Sequence, residues 1–355
     1  MDLEKRIELI SKAPTEEVIT PEDLRKLLES KTKVSAYDGF EPSGILHLGS
    51  GILKAIKIQD MLDAKVNFIL YVADWFAIIN NKFGGDLDKI QIAGKYFVEG
   101  WKACGIDMKK VKIMWTSDVV KDPEYWNGVI QVAKHITIPR AIRAGTIMGR
   151  EERDMQQVAQ LLYPMMQAYD PFYLEADILQ LGMDQRKATI LTKEIAPKID
   201  GSIRVPVHHH LILGLQGGAR AGKETEADLK MSKSVPKSSI YIHDDAATIE
   251  DKIKSAYCPE KIVENNPILD FWKHIIFRKF DSRNVKRPAK FGGNLEIQSY
   301  DELEKIFREG KLHPLDLKKE TSAALNEILG PIRKHFEKGS AKKLYDDVKS
   351  FQITR

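Results

Sequence analysis

Short apolar runs alternate with amphipathic stretches through the first two hundred residues of this chain. The apolar runs cover 66–73, 111–115 and 177–181, and the amphipathic stretches around them cover 88–104 and 184–196. Runs of this length are typical of buried strands. Strands that alternate with helices form a parallel sheet covered on both faces. The sequence therefore predicts an α/β fold with a doubly wound, Rossmann-like parallel sheet and a ligand site at the carboxyl ends of its strands.

The chain on either side of these runs is predicted to be mainly helical. We expect an N-terminal helical segment at 1–32, and the sheet domain at 33–240 with a helical insertion at about 118–173. Beyond it the strand signals largely stop, which predicts an α-helical C-terminal domain at 241–355. Its expected helices are 248–257, 301–309 and 315–336.

Composition excludes some classes of protein. Of the 355 residues, 43% are hydrophobic and 30% are charged, as in ordinary globular proteins, and the net charge of +4 permits nucleic acid binding without demanding it. Cys104 and Cys258 lie far apart, which favours a reduced setting over a disulfide. The N-terminus is charged where a signal peptide needs an apolar core, and 66–73 is too short to span a bilayer. We therefore predict a cytoplasmic protein.

Two short segments far apart in the chain carry the chemistry. The segment 42–49, Pro-Ser-Gly-Ile-Leu-His-Leu-Gly, is predicted to open a helix, so its backbone N–H groups and the His47 imidazole can meet a polyphosphate. The segment 230–234, Lys-Met-Ser-Lys-Ser, places Lys230 and Lys233 on a Ser-rich loop, where they can stabilise charge on a leaving pyrophosphate. Together the two segments predict a site that activates a carboxylate with ATP.

Each of these residues also has a simpler interpretation. A histidine such as His47 can merely cap a helix, and lysines such as Lys230 and Lys233 are usually solvated surface residues. The buriable Met231 between the lysines and the Gly-rich approach at 214–228 favour a closing loop. The presence of the second segment likewise favours phosphate binding by His47 over simple helix capping.

The paired segments resemble the signature motifs of the class I aminoacyl-tRNA synthetases. The stretch 35–44, Ser-Ala-Tyr-Asp-Gly-Phe-Glu-Pro-Ser-Gly, resembles the tyrosyl-tRNA synthetases of the archaeal/eukaryotic type, and the resemblance runs from about Ser35 to the helical C-terminus. It implies a tyrosine–tRNA ligase that uses ATP with Mg²⁺ and binds tRNA(Tyr). It also implies a C-terminal anticodon-binding domain and a homodimer formed through the helical insertion. The ATP site would comprise His47, Gly49, Lys230, Ser232 and Lys233, of which His47, Lys230 and Lys233 would be catalytic.

A polar helix face is the candidate amino-acid pocket. Tyr163, Gln167 and Asp170 are spaced i, i+4, i+7 and so share one face of a helix, flanked by apolar residues. This pattern alone leaves open a helix face of internally paired polar groups. The resemblance implies that Tyr163, Gln167 and Gln185 hold the ammonium group of tyrosine. It also implies that Tyr37 and Asp170 bind the phenolic hydroxyl, and tyrosyl-tRNA synthetases are themselves the standard example of rejecting phenylalanine in this way.

The sequence departs from the family pattern at two positions. Ser50 stands where the first motif often has a second histidine, which leaves a weaker donor for phosphate. Phe76 stands where the family often has histidine, so we expect packing to replace a polar contact in the pocket wall.

Three consecutive histidines, His208, His209 and His210, suggest a metal hypothesis. Because strand residues alternate faces, at most His208 and His210 could share an ion. No cysteine or acid near them in the sequence completes a set of ligands. We therefore favour a strand end leading into the downstream loop and expect no metal site.

The C-terminal half contains candidate RNA-binding residues. The resemblance implies that Phe291 and His313 sandwich the first anticodon base and that Asp316 reads its edge, as aromatic rings and carboxylates can do. The simpler interpretations are a core phenylalanine beside a glycine turn, and an aspartate that caps the last long helix. Arg186 and Lys187 follow the pocket glutamine and are candidates for contact with the acceptor end.

Three other functions remain open at this level. A tryptophan-specific synthetase of the same fold is one, because Phe76 alters the pocket wall. A catalytically silent, RNA-binding paralogue is disfavoured by the intact His47, Lys230 and Lys233. A small-molecule adenylyltransferase is disfavoured by the helical C-terminal domain.

Overall fold

A six-stranded mixed sheet forms the centre of the molecule, with strand order β1-β6-β5-β2-β3-β4. The computed structural model describes residues 1–154, 157–217, 230–231 and 236–351, with backbone alone at Pro236 and Phe291. The strands are β1 Thr15–Val18, β2 Ser35–Phe40, β3 Asn67–Val72, β4 Val111–Trp115, β5 Ile178–Gly182 and β6 Val205–His209. β2 to β6 run parallel, whereas β1 pairs antiparallel with β6 at the edge.

Helices cover both faces of this sheet and form most of the C-terminal region. Up to β6 they are α1 Leu3–Ser11, α2 Pro21–Ser30, α3 Lys54–Asp63, α4 Asp74–Ile79, α5 Leu87–Ala103, α6 Thr116–Val119, α7 Pro123–Lys134, α8 Ile138–Gly145, α9 Val158–Tyr173 and α10 Arg186–Ile199. After β6 they are α11 Ala246–Ser255, α12 Pro267–Phe271, α13 Phe277–Lys279, α14 Tyr300–Arg308, α15 Pro314–His335 and α16 Gly339–Ser350. π-type turns at Gly49–Leu53 and Trp272–Ile276 precede α3 and α13.

The predicted fold class is confirmed. The three apolar runs became β3, β4 and β5, and the two amphipathic stretches became α5 and α10. α2 begins at Pro21, because the hydroxyl of Thr20 accepts the backbone N–H of Asp23 at 3.2 Å and Pro21 occupies the first turn. The domain boundaries drawn from the sequence stay predictions.

Two strand regions were missed by the sequence analysis. β1 lies inside the segment expected to be helical. It was missed because four residues with only partial burial give no clear alternation. A short antiparallel pair, β7 Arg283–Val285 with β8 Leu295–Ile297, lies inside the helical C-terminal region. Strands of three residues carry too little pattern to be detected.

The order in which successive strands are added across the sheet reverses beside β2, whose parallel neighbours are β3 and β5. Carboxyl ends of strands on either side of such a switch point open a crevice, because the following helices go to opposite faces. Residues after β6 support the first motif beside this crevice. The backbone N–H of Leu48 donates to Ile240 O at 2.9 Å, and that of Ile242 donates to Leu46 O at 3.1 Å. None of the helices in the described ranges is long and apolar enough to cross a membrane.

Candidate active site

A single cleft of about 1650 Å³ lies at the carboxyl ends of the parallel strands. Its walls come from the ends of β2, β3, β5 and β6, from α9 and from the residues after β6. The cleft is lined by every predicted ATP, tyrosine and acceptor-end residue that the structure describes: Tyr37, His47, Gly49, Tyr163, Gln167, Asp170, Gln185, Arg186, Lys187 and Lys230. Ser232 and Lys233 lie outside the described residues.

The His47 ring is oriented by the backbone that follows it. Its Nδ1 accepts the backbone N–H groups of Gly49 at 3.1 Å and Ser50 at 3.4 Å. An accepting Nδ1 places the proton of the neutral ring on Nε2, the atom that can donate to a phosphate. A Cβ at position 49 would lie 3.1 Å from the ring carbon Cε1 of His47, so a larger residue here would press on the imidazole.

Two lysine–carboxylate pairs set the charge of the cleft. Lys230 Nζ lies 2.6 Å from Asp184 Oδ2, and Lys54 Nζ lies 3.1 Å from Asp38 Oδ2. Burial would raise the pKa of Asp184, but the Lys230 ammonium outweighs it and holds that pKa below its usual value. Burial raises the pKa of Asp38 to about 6 despite the opposing charge of Lys54. Lys230 is thus directed into the cleft by a carboxylate.

A buried carboxyl lines the inner end of the cleft with Tyr37 and Tyr71, and a third tyrosine, Tyr125, contacts it from the core. Asp170 is 2% exposed, and its Oδ1 accepts hydrogen bonds from Tyr125 Oη at 2.7 Å and Tyr71 Oη at 3.3 Å. No other described residue donates to this carboxyl. Tyr37 packs edge-to-face on Tyr71 with ring centroids 6.5 Å apart. Burial raises the pKa of Asp170 to about 8, although both hydroxyl donors oppose the rise.

The predicted ammonium-binding groups meet beside this inner end. Gln167 Nε2 donates to Gln185 Oε1 at 3.0 Å, and Tyr163 Oη donates to Glu41 Oε2 at 3.1 Å. Glu41 also accepts from Asn80 Nδ2 at 3.0 Å. The arrangement presents amide oxygen, phenolic oxygen and carboxylate oxygen to one region of the cleft, and such acceptors suit an ammonium group.

The two departures from the family pattern have distinct structural roles. The Ser50 hydroxyl accepts the backbone N–H of His47 at 3.0 Å, so it supports the turn that holds the imidazole. Phe76 is buried and meets Tyr163 edge-to-face with ring centroids 4.7 Å apart. Packing therefore occupies this part of the pocket wall, as we expected.

The histidine triplet does not form the paired site considered from the sequence. His208 is held by Thr189 Oγ1 at 2.7 Å and Glu17 at 2.8 Å, and His209 Nδ1 contacts Gln180 Nε2 at 2.6 Å. His210 instead contacts Glu16 and Asp270. Both acids come from distant parts of the sequence, so the search for acids close to the histidines in the chain did not find them.

The predicted acceptor-end residues are held by protein groups at the cleft rim. Arg186 forms a bidentate pair with Glu17, with Nε 2.9 Å and Nη2 3.0 Å from its carboxylate oxygens. Lys187 Nζ donates to Thr146 Oγ1 at 2.8 Å. Both side chains are mostly exposed, so an RNA phosphate could compete for them.

A second, shallower pocket of about 520 Å³ contains Asp316, 
together with basic residues around β7. The cap of α15 is His313, whose Nδ1 accepts the backbone N–H of Leu315 at 3.1 Å. The interpretation of Asp316 as that cap is therefore wrong, and its carboxylate lines the pocket with Lys286 and Lys319. The side chain of Phe291 lies outside the described residues.

Sequence reasoning missed Tyr71, Tyr125 and Glu41. Tyr71 lies inside an apolar strand and Tyr125 inside an amphipathic helix, where a tyrosine ordinarily indicates core packing. Glu41 directly precedes the first motif, and its position after β2 was the only signal that could have marked it.

Comparison with known proteins agrees with this geometry. The sequence model of the tRNA synthetases class I (W and Y) matches residues 29–330. The tyrosine–tRNA ligase of Sulfurisphaera tokodaii is 46% identical over 343 residues, covering 95% of this chain and 94% of that one. Tyrosine–tRNA ligase 1, cytoplasmic, of Arabidopsis thaliana is 43% identical over 358 residues, covering 100% of this chain and 90% of that one.

Solved structures give the same result. The tyrosyl-tRNA synthetase complexed with L-tyrosine from Pyrococcus horikoshii has a TM-score of 0.92 at 41% identity, covering 99% of this chain and 100% of that one. The tryptophanyl-tRNA synthetase of Aeropyrum pernix K1 has a TM-score of 0.65 at 16% identity, covering 94% of this chain and 85% of that one. The second similarity extends to the fold alone.

Proposed function

The chain belongs to the tyrosine–tRNA ligases of the class I tRNA synthetase family, and on that premise we propose how its cleft carries out the reaction. The enzyme activates tyrosine with ATP and transfers the tyrosyl group to tRNA. In the first step the tyrosine carboxylate attacks the α-phosphate of ATP, which gives tyrosyl-adenylate and releases pyrophosphate. In the second step a terminal ribose hydroxyl of tRNA(Tyr) attacks the adenylate carbonyl, and AMP leaves. Neither step needs a covalent nucleophile from the protein, so positioning and electrostatic stabilisation supply the catalysis.

The tyrosine phenol binds at Asp170 and Tyr37. The observation that carries this assignment is the buried Asp170 carboxyl, one oxygen of which accepts from both Tyr71 and Tyr125. The other oxygen is left for an incoming phenolic hydroxyl. A buried polar group that loses its partner costs about 1–3 kcal/mol, so phenylalanine is rejected for lack of a hydroxyl.

The substrate ammonium lies between α9 and the residues that follow β5. Gln167 and Gln185 fix one another, which orients their remaining polar atoms before the substrate arrives. The Tyr163 hydroxyl donates a hydrogen bond to Glu41, so a lone pair of its oxygen is available to accept from the ammonium. Glu41 adds a negative charge nearby, which favours a cationic group in this part of the cleft.

ATP occupies the wider part of the cleft, near His47 and Lys230. The tautomer fixed at His47 directs a neutral N–H donor towards the phosphates without the desolvation cost of a buried cation. Lys230, with Ser232 and Lys233 of the same motif, stabilises the charge that develops on the leaving pyrophosphate. Binding this charge more tightly in the transition state than in bound ATP raises the turnover rate.

Mg²⁺ accompanies ATP as a neutralising counter-ion. Two of the cleft carboxylates, Asp38 and Asp184, already have lysine partners, so we assign neither of them to the ion. Mg²⁺ commonly binds through substrate phosphates and water with few protein ligands, which fits this arrangement.

The tRNA spans the cleft rim and the C-terminal region. Arg186 and Lys187 contact the acceptor end, and Phe291, His313 and Asp316 contact the anticodon. The Asp316 pocket supports this assignment, because a carboxylate among basic side chains can accept from a guanine edge while the lysines contact phosphate.

A second copy of the chain covers the helical insertion. Ile130, Ile138, Val158 and Leu162, on α7, α8 and α9, are between 40% and 78% exposed. Large apolar side chains gathered on one segment suit a homodimer interface. We place the enzyme in the cytoplasm, in keeping with the cytoplasmic relative from Arabidopsis thaliana.

Amino-acid-dependent exchange between ATP and pyrophosphate, run with each of the twenty amino acids and no tRNA, tests this function. Exchange with tyrosine alone is the expected result. Exchange driven by tryptophan would instead indicate a tryptophan-specific synthetase. Folded protein that binds tRNA but shows no exchange would point to a catalytically silent paralogue.

A further inference from the structure

A histidine–aspartate–histidine cluster lies where three distant parts of the chain meet. His210 follows β6, Asp270 lies in α12, and His274 lies in the π-type turn after α12. One possible ligand atom from each of the three residues lies within 4.8 Å of the other two. We propose that this cluster is a binding site for a transition-metal dication, with zinc as the best-matched ion, a role separate from the ligase reaction.

The distances suit a metal better than they suit hydrogen bonds. His210 Nε2 lies 2.7 Å from Asp270 Oδ1 without the alignment of a hydrogen bond, and His274 Nε2 lies 3.6 Å from the same oxygen. Ligand atoms around a tetrahedral zinc at its usual bond lengths are about 3.3 Å apart. The two observed separations lie on either side of that value, so small side-chain rotations would bring the atoms into place.

His274 supplies the independent sign that the cluster lacks a component. Its side chain is buried, with the residue only 5% exposed, and its Nδ1 has no hydrogen-bond partner among the described residues. Its Nε2, the nitrogen that faces Asp270, lies 3.6 Å from the carboxylate, beyond hydrogen-bond distance. A buried ring without hydrogen bonds is costly, so such groups in native proteins often mark an ion or a water molecule.

The residues around the cluster provide the supports that metal ligands usually have. His210 Nδ1 pairs with the carboxylate of Glu16, beyond the ring nitrogen that would face the metal. Asp270 Oδ2 accepts the backbone N–H of Leu213 at 2.9 Å, which fixes the carboxylate. Carboxylate–histidine–metal arrangements of this kind orient the ring and increase its basicity.

Charge in the cluster also favours a cation. The carboxylates of Asp270 and Glu16 both contact His210, so two acidic side chains lie at the cluster. A dication bound between the ring nitrogens would be attracted by both of them.

Ring geometry sets what must change on binding. The His210 and His274 rings are stacked, with centroids 4.0 Å apart and planes 15° from parallel. Parallel rings direct their in-plane lone pairs side by side, so the rings must tilt towards Asp270 to share an ion. The bound metal would join β1, the end of β6 and the C-terminal helices. It would also anchor the segment that leads to Lys230, since Leu213 forms a bridge with that residue.

Zinc binding to the full-length, chelator-stripped chain tests the proposal, measured by competition with a chromophoric chelator. We expect one zinc per chain. His274→Ala and Asp270→Asn should each raise the dissociation constant at least about 100-fold, and Glu16→Gln by about 10-fold to 100-fold. His335→Ala is the matched control, because that histidine pairs with Glu99 instead and should leave the affinity unchanged.

Cobalt provides a readout that does not depend on affinity alone. Co²⁺ bound by the cluster should give visible ligand-field absorption in the unmodified protein and not in Asp270→Asn, with circular dichroism confirming that the variant is folded. Failure to reach one zinc per chain would overturn the proposal. Equal zinc affinity in His274→Ala and the unmodified protein would do the same.

Discussion

Lys230 and Asp184 form an ion pair 2.6 Å long inside the cleft. Its carboxylate stays ionised at neutral pH, because the ammonium of Lys230 outweighs the effect of burial and holds the Asp184 pKa below its usual value. The lysine of the downstream motif is therefore held in the cleft by this carboxylate. To stabilise pyrophosphate, it must exchange a carboxylate partner for a phosphate partner.

We expect Lys230→Ala to lower the rate of tyrosyl-adenylate formation by roughly 10²–10³-fold, with little change in the KM for ATP. The lysine is proposed to contact charge that develops in the transition state, and single-turnover quench measurements report that step directly. Lys237→Ala, a nearby exposed lysine, is the control and should leave the rate unchanged. A rise in KM with an unchanged rate would mean that Lys230 only binds ATP.

Asp170→Ala should reduce the preference for tyrosine over phenylalanine by about 5-fold to 150-fold, the range for a buried polar contact worth about 1–3 kcal/mol. The carboxyl is proposed to accept the phenolic hydroxyl, so only the substrate that has one should lose activity. The ratio of kcat/KM values in pyrophosphate exchange measures this preference. The exposed Asp118→Ala is the control. An unchanged ratio would remove Asp170 from the recognition of the hydroxyl.

The same residue predicts a pH dependence of stability. Burial raises the pKa of Asp170 from 3.8 to about 8, so the folded chain keeps a proton that the unfolded chain has lost. The free energy of unfolding should consequently fall as pH rises through this window, by up to about 1.4 kcal/mol per pH unit from this group. Asp170→Asn should lack that contribution. Urea unfolding of both proteins at about pH 5 and about pH 8 measures how the free energy of unfolding changes with pH. An equal change in the two proteins would contradict the prediction.

Asp316→Ala should impair aminoacylation of tRNA(Tyr) and leave tyrosyl-adenylate formation nearly intact. The residue lines a pocket in the C-terminal region and is not among the residues lining the cleft. Loss of a base-edge contact should weaken charging by about 1–3 kcal/mol, or roughly 5-fold to 150-fold in kcat/KM. Asp301→Ala removes another exposed acid from the first turn of a helix and serves as the control. Equal losses in both steps would assign Asp316 a structural role.

Val158→Asp should convert a dimer into a monomer. Val158 is 78% exposed at the start of α9, and a charge placed in an apolar interface would be desolvated without a partner. Size-exclusion chromatography with light scattering gives the mass in solution. Ile262→Asp, at an apolar residue 43% exposed in the C-terminal region, should leave the mass unchanged. A monomeric parent protein would refute the dimer outright.

Local pattern was sufficient to predict β3, β4 and β5. The run 66–73 is apolar at nearly every position, and it became β3, buried at five of its six residues. Tyr163, Gln167 and Asp170 likewise needed only the helical period to be placed on one face. By contrast, β1 is an edge strand that exists because β6 offers it a partner, and a pairing of that kind leaves little trace in four residues.

Contacts between distant segments were the part that the sequence could not provide. Nothing near Asp170 in the chain indicates that Tyr71 and Tyr125 share one of its oxygens, because the fold alone brings β3 and α7 to α9. The role of Ser50 in supporting His47 is local, but it depends on the π-type turn, which no periodicity predicts. The same holds for His210, whose acidic neighbours come from opposite ends of the chain.

The backbone hydrogen bonds that hold Leu46 and Leu48 against Ile240 and Ile242 have a consequence for the synthesis of the protein. On the ribosome, the segment with His47 emerges about two hundred residues ahead of the segment that supports it. A nascent chain that stops before residue 230 contains the first motif without its backing and without Lys230. The proposed ATP site therefore becomes complete only after residue 242 has been added, whereas every proposed tyrosine-binding residue is already present by residue 185.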